Sequence, residues 1–103
     1  MWLCFNNAFV SIVADREDES KLLVRARKAK HLRNLLGPQA KITETPERDY
    51  RWRAYVPRSV VSQILAQQCE GISYNNFKDS VRDHELHTMY SRWWFDHRKL
   101  QDQ

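Results

Sequence analysis

The chain has 103 residues, 42% of them hydrophobic, with 2 glycines and 3 prolines. That length and composition suit one domain spanning residues 1–103 with a core of its own, and exclude a disordered or low-complexity segment. The formal net charge of +4 is unevenly spread, since residues 1–20 carry −3, residues 21–58 carry +8 and residues 59–103 carry −1. A basic middle points to an anionic partner, either an acidic protein surface or nucleic acid, and with no run near the ~20 apolar residues of a membrane span no membrane partner is expected.

Taken in order, Trp2–Phe5 is a short apolar strand followed by Asn6-Asn7, a pair that tolerates the backbone of a tight turn. Phe9–Ala14 is β-branched and apolar, the strongest strand former in the chain. Asp15–Ser20 is an acidic turn. Lys21–Lys28 returns as the second arm of a hairpin, with Leu22, Val24 and Ala26 on the core side and Leu23, Arg25 and Arg27 on the other. From Lys28 to Leu36 the apolar period changes to that of a helix, through Ala29, Leu32, Leu35 and Leu36, and Gly37-Pro38 ends it.

Lys41–Thr45 reads as a short strand and Pro46–Asp49 as a loop. Tyr50–Val56 alternates strictly: Tyr50, Trp52, Ala54 and Val56 face a core, and Arg51, Arg53 and Tyr55 face away from it. Pro57-Arg58-Ser59 opens a second helix with Ser59 as its N-cap. Val60, Val61, Ile64, Leu65, Gln68 and Ile72 form its stripe, and Gly71 ends it. Asn75–Val81 is a helical turn or loop. Asp83 caps a third helix in which Leu86, Met89, Tyr90, Trp93, Trp94 and His97 recur at helical spacing, and Lys99–Gln103 is expected to fray.

The order β-β-α-β-β-α-α predicts an α+β fold. The expected architecture is a two-layer sandwich of a four- to five-stranded antiparallel or mixed sheet with helices on one face. If the two arginine-bearing strands are neighbours, Arg25, Arg27, Arg51 and Arg53 form one grid on the open side of the sheet, joined by Tyr55 and Lys41. Guanidinium forks bind phosphate or carboxylate and stack on rings, so such a grid suits a nucleic-acid backbone or an acidic protein surface. The competing reading pairs these arginines with Glu44, Glu47 and Asp49 as ordinary ion pairs.

A second group of candidate contacts lies on the helices. Lys28, Lys30 and Arg33, with His31, cover one side of the first. On the third, Trp93, Trp94 and Phe95 project about 100° apart, so Trp94 or Phe95 must be exposed or covered by another chain, either a target or a second copy in a homodimer. His84 and His87 lie near one face, and with Asp83 or Glu85 they define an alternative metal-dependent hydrolase, although no third and fourth ligand accompany them. No Ser/His/Asp order, glycine-rich phosphate loop or isolated carboxylate pair is present. The chain therefore reads as a non-catalytic binding module, with no metal and no cofactor expected. Cys4 and Cys69 read as reduced, buried small hydrophobes of a cytoplasmic protein.

Along Phe5-Asn-Asn-Ala-Phe-Val-Ser-Ile-Val-Ala14, Leu22-Leu-Val-Arg-Ala-Arg27 and Tyr74-Asn-Asn-Phe-Lys-Asp-Ser-Val81, the chain resembles a group of short proteins of bacteria and their mobile elements. The resemblance extends over most of the chain and implies no particular activity, cofactor or site residue. In size and setting the chain is similar in type to phage-encoded inhibitors such as anti-CRISPR proteins, which act on host nucleoprotein complexes.

Overall fold

In the computed structural model, which describes residues 1–102, Ala8–Ile12 are buried without interruption. An antiparallel strand shows this when both of its faces are covered. The strand concerned, β2 (Ala8–Ala14), lies between β1 (Trp2–Phe5) and β3 (Lys21–Ala26). The sheet continues through β5 (Trp52–Pro57) to β4 (Thr43–Glu44), so its five strands take the order β1-β2-β3-β5-β4 with every pair antiparallel. With helices α1 (Ala29–Leu36), α2 (Arg58–Glu70) and α3 (His84–His97), this is the expected α+β fold in the expected element order.

One face of the sheet carries the principal core. Ala8, Val10 and Ile12 of β2 pack with Val24, Ala26 and Ala54, and Leu32 and Leu35 of α1 and Val61 of α2 cover them. Phe9 points the other way, as alternation requires. It joins a second cluster with Tyr50, Val81, Leu86 and Tyr90, against which Phe77, Met89 and Trp93 pack. The helices therefore divide between the two faces, α1 and α2 on one and α3 on the other, instead of sharing one face. The reason is on β1 and β2, where Trp2 and Phe9 both present rings to the second face. Trp93 meets Phe9 edge-on at 5.2 Å and stacks on Trp2 at 6.4 Å, geometries that aromatic pairs prefer. Tyr90 fastens α3 to the β1–β2 turn, its O–H shared between the Phe5 and Ala8 carbonyls at 3.0 Å each; burial pushes this phenol well above its usual range.

Element ends follow local hydrogen bonding. Asp83 caps α3 as its spacing predicts, accepting from the Leu86 N–H at 3.1 Å. Gly37 ends α1 at φ 97°, a conformation that a side chain would strain. The second helix instead starts at Arg58 with no side-chain cap, so Ser59 is not its N-cap. Its start is held by Arg58, whose N–H donates to the Ser20 carbonyl at 2.8 Å and whose Nε donates to the Glu19 carbonyl at 2.6 Å. Of its predicted stripe, Val61 is buried and Ile64 and Leu65 are half-buried, whereas Val60, Gln68 and Ile72 are exposed. Arg98–Leu100 forms a 3₁₀ turn after α3, and Gln103, at the end of the segment expected to fray, lies outside the described residues. Cys4 and Cys69 are free and both exposed, which corrects the expectation that they are core residues. No helix among the described residues is long and apolar enough to cross a membrane.

Because the two faces of β2 serve separate clusters, one side chain from each tests the two-sided packing. Leu32→Ala on one face and Phe9→Ala on the other should each cost about 2–5 kcal/mol in a urea unfolding experiment. A one-sided sheet would make the Phe9 change nearly silent.

Candidate functional site

The cover that α3 provides ends at β2, and the same face of β3, β5 and β4 is open. The register places Leu23 opposite Tyr55, Arg25 opposite Arg53, and Thr43 beside Arg53, while Ser11 and Val13 of β2 pair with Arg25 and Leu23. Val13, Leu23, Arg25, Thr43, Arg53 and Tyr55 floor a concave basin of about 1310 Å³. Lys41 and Arg48 rim it on the β4 side, and the β2–β3 turn closes the opposite side with Asp15, Glu17 and Asp18 beside Arg16. The basin thus has a basic side and an acidic lip.

Of the predicted arginine grid, Arg25 and Arg53 come together as a cross-strand pair. Like charges directly opposite each other repel, and the surroundings show how the repulsion is offset. Arg53 is 5% exposed; it donates to Asp49 at 3.4 Å and to Thr45 Oγ1 at 3.3 Å. Arg25 donates to Ser11 Oγ at 2.9 Å and lies 4.7 Å from the centre of the Tyr50 ring. Its Nε is buried and has no partner among the described residues. Arg27, past the end of β3, covers the same ring at 4.3 Å and donates to the Asp49 carbonyl oxygen. One carboxylate therefore faces three guanidinium groups. The Tyr50 N–H bonded to it, then Arg25, Arg53 and Arg27, hold Asp49 below the usual carboxylate range.

Two expected assignments change. Tyr50 is buried, but on the face of Phe9 and the arginines and not in the principal core. Strict alternation fails because β5 begins at Trp52; before it the chain bends, with the Thr45 N–H donating to Arg51 at 2.5 Å and its hydroxyl to the Tyr50 and Arg51 carbonyls at 3.0 Å each. The same bend removes Arg51 from the grid. It pairs with Glu44 at 2.7 Å on the β4 edge, an exposed ion pair of the kind expected for ordinary cross-strand charges.

The remaining candidates divide by position. Lys41 and Tyr55 line the basin, and Tyr55 is 52% exposed. Arg48, Arg16 and the acidic lip line it too but belong to loops outside the alternating pattern, whereas Lys21, also in the lining, is the first residue of β3 and shares the face of Leu23 and Arg25. Lys28 pairs with Glu85 and Lys30 with Asp83 at 2.9 Å, so these two tie α1 to α3 and do not form a free cationic face. Lys30, with the Leu86 N–H, lowers Asp83 to about 2. Arg33 is exposed on α1, away from the basin. Trp94 is exposed with Lys78 and Arg98 over its ring at 4.6 and 5.2 Å, and Phe95 is exposed beside it. His84 and His87 are exposed on α3, and among the described residues no three His, Cys, Asp or Glu side chains cluster as metal ligands would.

His31 has a structural place that its exposed neighbours do not share. It is 5% exposed, and its Nδ1 accepts the Phe9 N–H at 3.4 Å. The imidazole proton then sits on Nε2, which is buried and has no acceptor among the described residues, and the His31 ring is among the walls of a small cavity of about 170 Å³ between α1 and α3.

Comparison with protein-family models, curated proteins and solved structures gave no match. The functional reading therefore rests on the geometry of the chain itself.

The buried imidazole makes the fold sensitive to acid. Burial lowers the His31 pKa from its usual 6.5, so the unfolded chain binds the proton at higher pH than the folded one. Its contribution is complete above the unfolded value and is lost as pH falls below it. Urea midpoints should drop as pH falls below the unfolded value of 6.5, and His31→Gln, which keeps an acceptor for Phe9, should flatten that drop.

Proposed function

We propose that this protein is a non-catalytic binding module that holds a polyanionic strand, single-stranded nucleic acid, in the basin on the open face of its sheet. The observation that carries the reading is the excess of guanidinium over carboxylate around Asp49, with Arg25 and Arg53 side by side on the basin floor. Phosphate oxygens supply the missing negative charge, and rotation of the Arg25 guanidinium toward an anion would bring its unpartnered Nε–H into use.

The rest of the basin fits a strand of nucleotides. Lys41 and Arg48 extend the positive side along its rim, and backbone contacts of this kind position a strand without reading its sequence. Tyr55 beside Leu23 and Val13 offers an exposed ring on an apolar floor, a surface on which a base can stack. The acidic lip at Asp15, Glu17 and Asp18 repels phosphate and confines the backbone to the β4 side. The analogy in size and setting to phage-encoded inhibitors gives the reading a concrete form: the module occupies the nucleic acid of a host nucleoprotein complex in the cytoplasm.

The rim tests this more cleanly than the floor, because Arg53 is buried and its reversal would place a carboxylate beside Asp49. Lys41 and Arg48 are exposed, so Lys41→Glu with Arg48→Glu should leave the fold unchanged. Binding of a fluorescein-labelled oligo(dT), read by anisotropy, should weaken and lose about one unit of salt slope per phosphate contact removed. Tyr55→Ala should cost a further ~1–3 kcal/mol from lost stacking. Unchanged affinity in the double variant would refute the basin as the binding surface, and a salt-independent interaction would point to a protein partner.

A further inference from the structure

The outer border of β1 is the longer of the two open sheet edges, 4 residues against 2 in β4. Met1 and Ile12 exchange both backbone hydrogen bonds at 2.8 Å. Bonded and non-bonded pairs alternate along an antiparallel ladder, and Leu3 is opposite Val10 and Phe5 opposite Ala8. Met1, Leu3 and Phe5 therefore turn their polar backbone groups toward β2. Trp2 and Cys4 turn theirs outward, and among the described residues nothing bonds to them.

Edge strands are usually blunted by a lysine, a proline or a bulge. Met1–Phe5 contains no charged side chain and no proline, its register with β2 runs without a bulge, and Trp2 is 69% exposed. We propose that this edge pairs with the same edge of a second copy, antiparallel and centred on Leu3, to make one continuous sheet across a homodimer.

The free groups set that register. With Leu3 on the two-fold axis, Trp2 of one copy faces Cys4 of the other, and each such pair exchanges two N–H to C=O bonds, so every outward group finds a partner. With no charged side chain on β1, and the Met1 ammonium donating to the Ile12 carbonyl of its own sheet, no like-charged side chains come opposite each other. The side chains complement each other as well. Trp2 and Cys4 point to the same face, and Cys4 borders a cavity of about 470 Å³ walled by Phe77, Tyr90, Trp93 and Trp94. Pairing brings the exposed indole of each copy beside Cys4 of the other, at the mouth of that aromatic cavity, where an apolar ring gains cover. Paired strands keep their faces, so both basins open on one side of the dimer. That last consequence rests on the anion-binding reading, but the pairing does not.

Residues opposite each other at a non-bonded antiparallel position have Cα atoms about 4.5 Å apart, inside the range a disulfide spans. In a Cys4→Ser, Cys69→Ser background, Leu3→Cys should therefore oxidise to a linked dimer, whereas Ser62→Cys on the exposed face of α2 should not. Sedimentation of the parent chain over a wide concentration series should reach the mass of two 12.4 kDa chains, and Trp2→Lys should return it to one. The Leu3→Cys result does not depend on Trp2→Lys folding. A parent that stays at one chain throughout, or a Leu3→Cys variant that links no faster than Ser62→Cys, would overturn the proposal.

Discussion

Burial of both faces of β2 is the constraint on which the rest of this structure depends. Ala8, Val10 and Ile12 require one apolar layer and Phe9 requires another, so helices must pack on both sides of the sheet at this strand. Three helices cannot cover ten strand faces. The cover runs out along β3, β5 and β4 on the side of Phe9, and there Arg25, the largely buried Arg53 and the exposed Tyr55 form the floor of a basin. Packing and site are thus two results of the same arrangement, since α3 closes the hairpin end of one face and leaves its other end open.

The electrostatics of the basin differ from those of a scattered basic surface. A surface ion pair in water contributes little, and Arg51 with Glu44, Lys28 with Glu85 and Lys30 with Asp83 are pairs of this type. Around Asp49 the balance is different, because Arg53 is almost wholly desolvated and Arg25 and Arg27 lean on the Tyr50 ring. Tyr50 keeps two guanidinium groups at fixed positions through cation–π contact, worth roughly 0.5–2 kcal/mol each depending on desolvation. A rigid, partly desolvated excess of positive charge is pre-organised for an anion in a way that flexible surface lysines are not.

Much of the site was legible because strand alternation is a strong constraint. Leu23, Arg25, Arg53 and Tyr55 follow from a period of two, and the structure brings all four onto one open floor. Alternation fails where the strand does. Tyr50 and Arg51 precede the first residue of β5, and the Thr45 hydrogen bonds that bend the chain there belong to a loop that strand alternation does not report. The ion pairs of Lys28 and Lys30 are hidden by distance along the chain, their partners lying more than fifty positions away. Arg48 and the acidic lip belong to turns, whose side chains follow no period at all.

Local chemistry by itself determined the element order, the Asp83 cap, the Gly37 stop and the polarity of β3 and β5, because each depends on residues within a few positions of one another. Tertiary structure alone decided which face each helix covers. Phe9 and the α3 aromatics are both apolar in any arrangement, and which layer they share depends on how the chain returns after Gly71 and which strand faces remain uncovered. It decided as well which charges neutralise each other and which are left over, since Lys28 and Lys30 find their carboxylates on α3 while Arg51 and Arg53 find theirs in the preceding β4 strand and loop. The basin is what remains exposed after those contacts have formed.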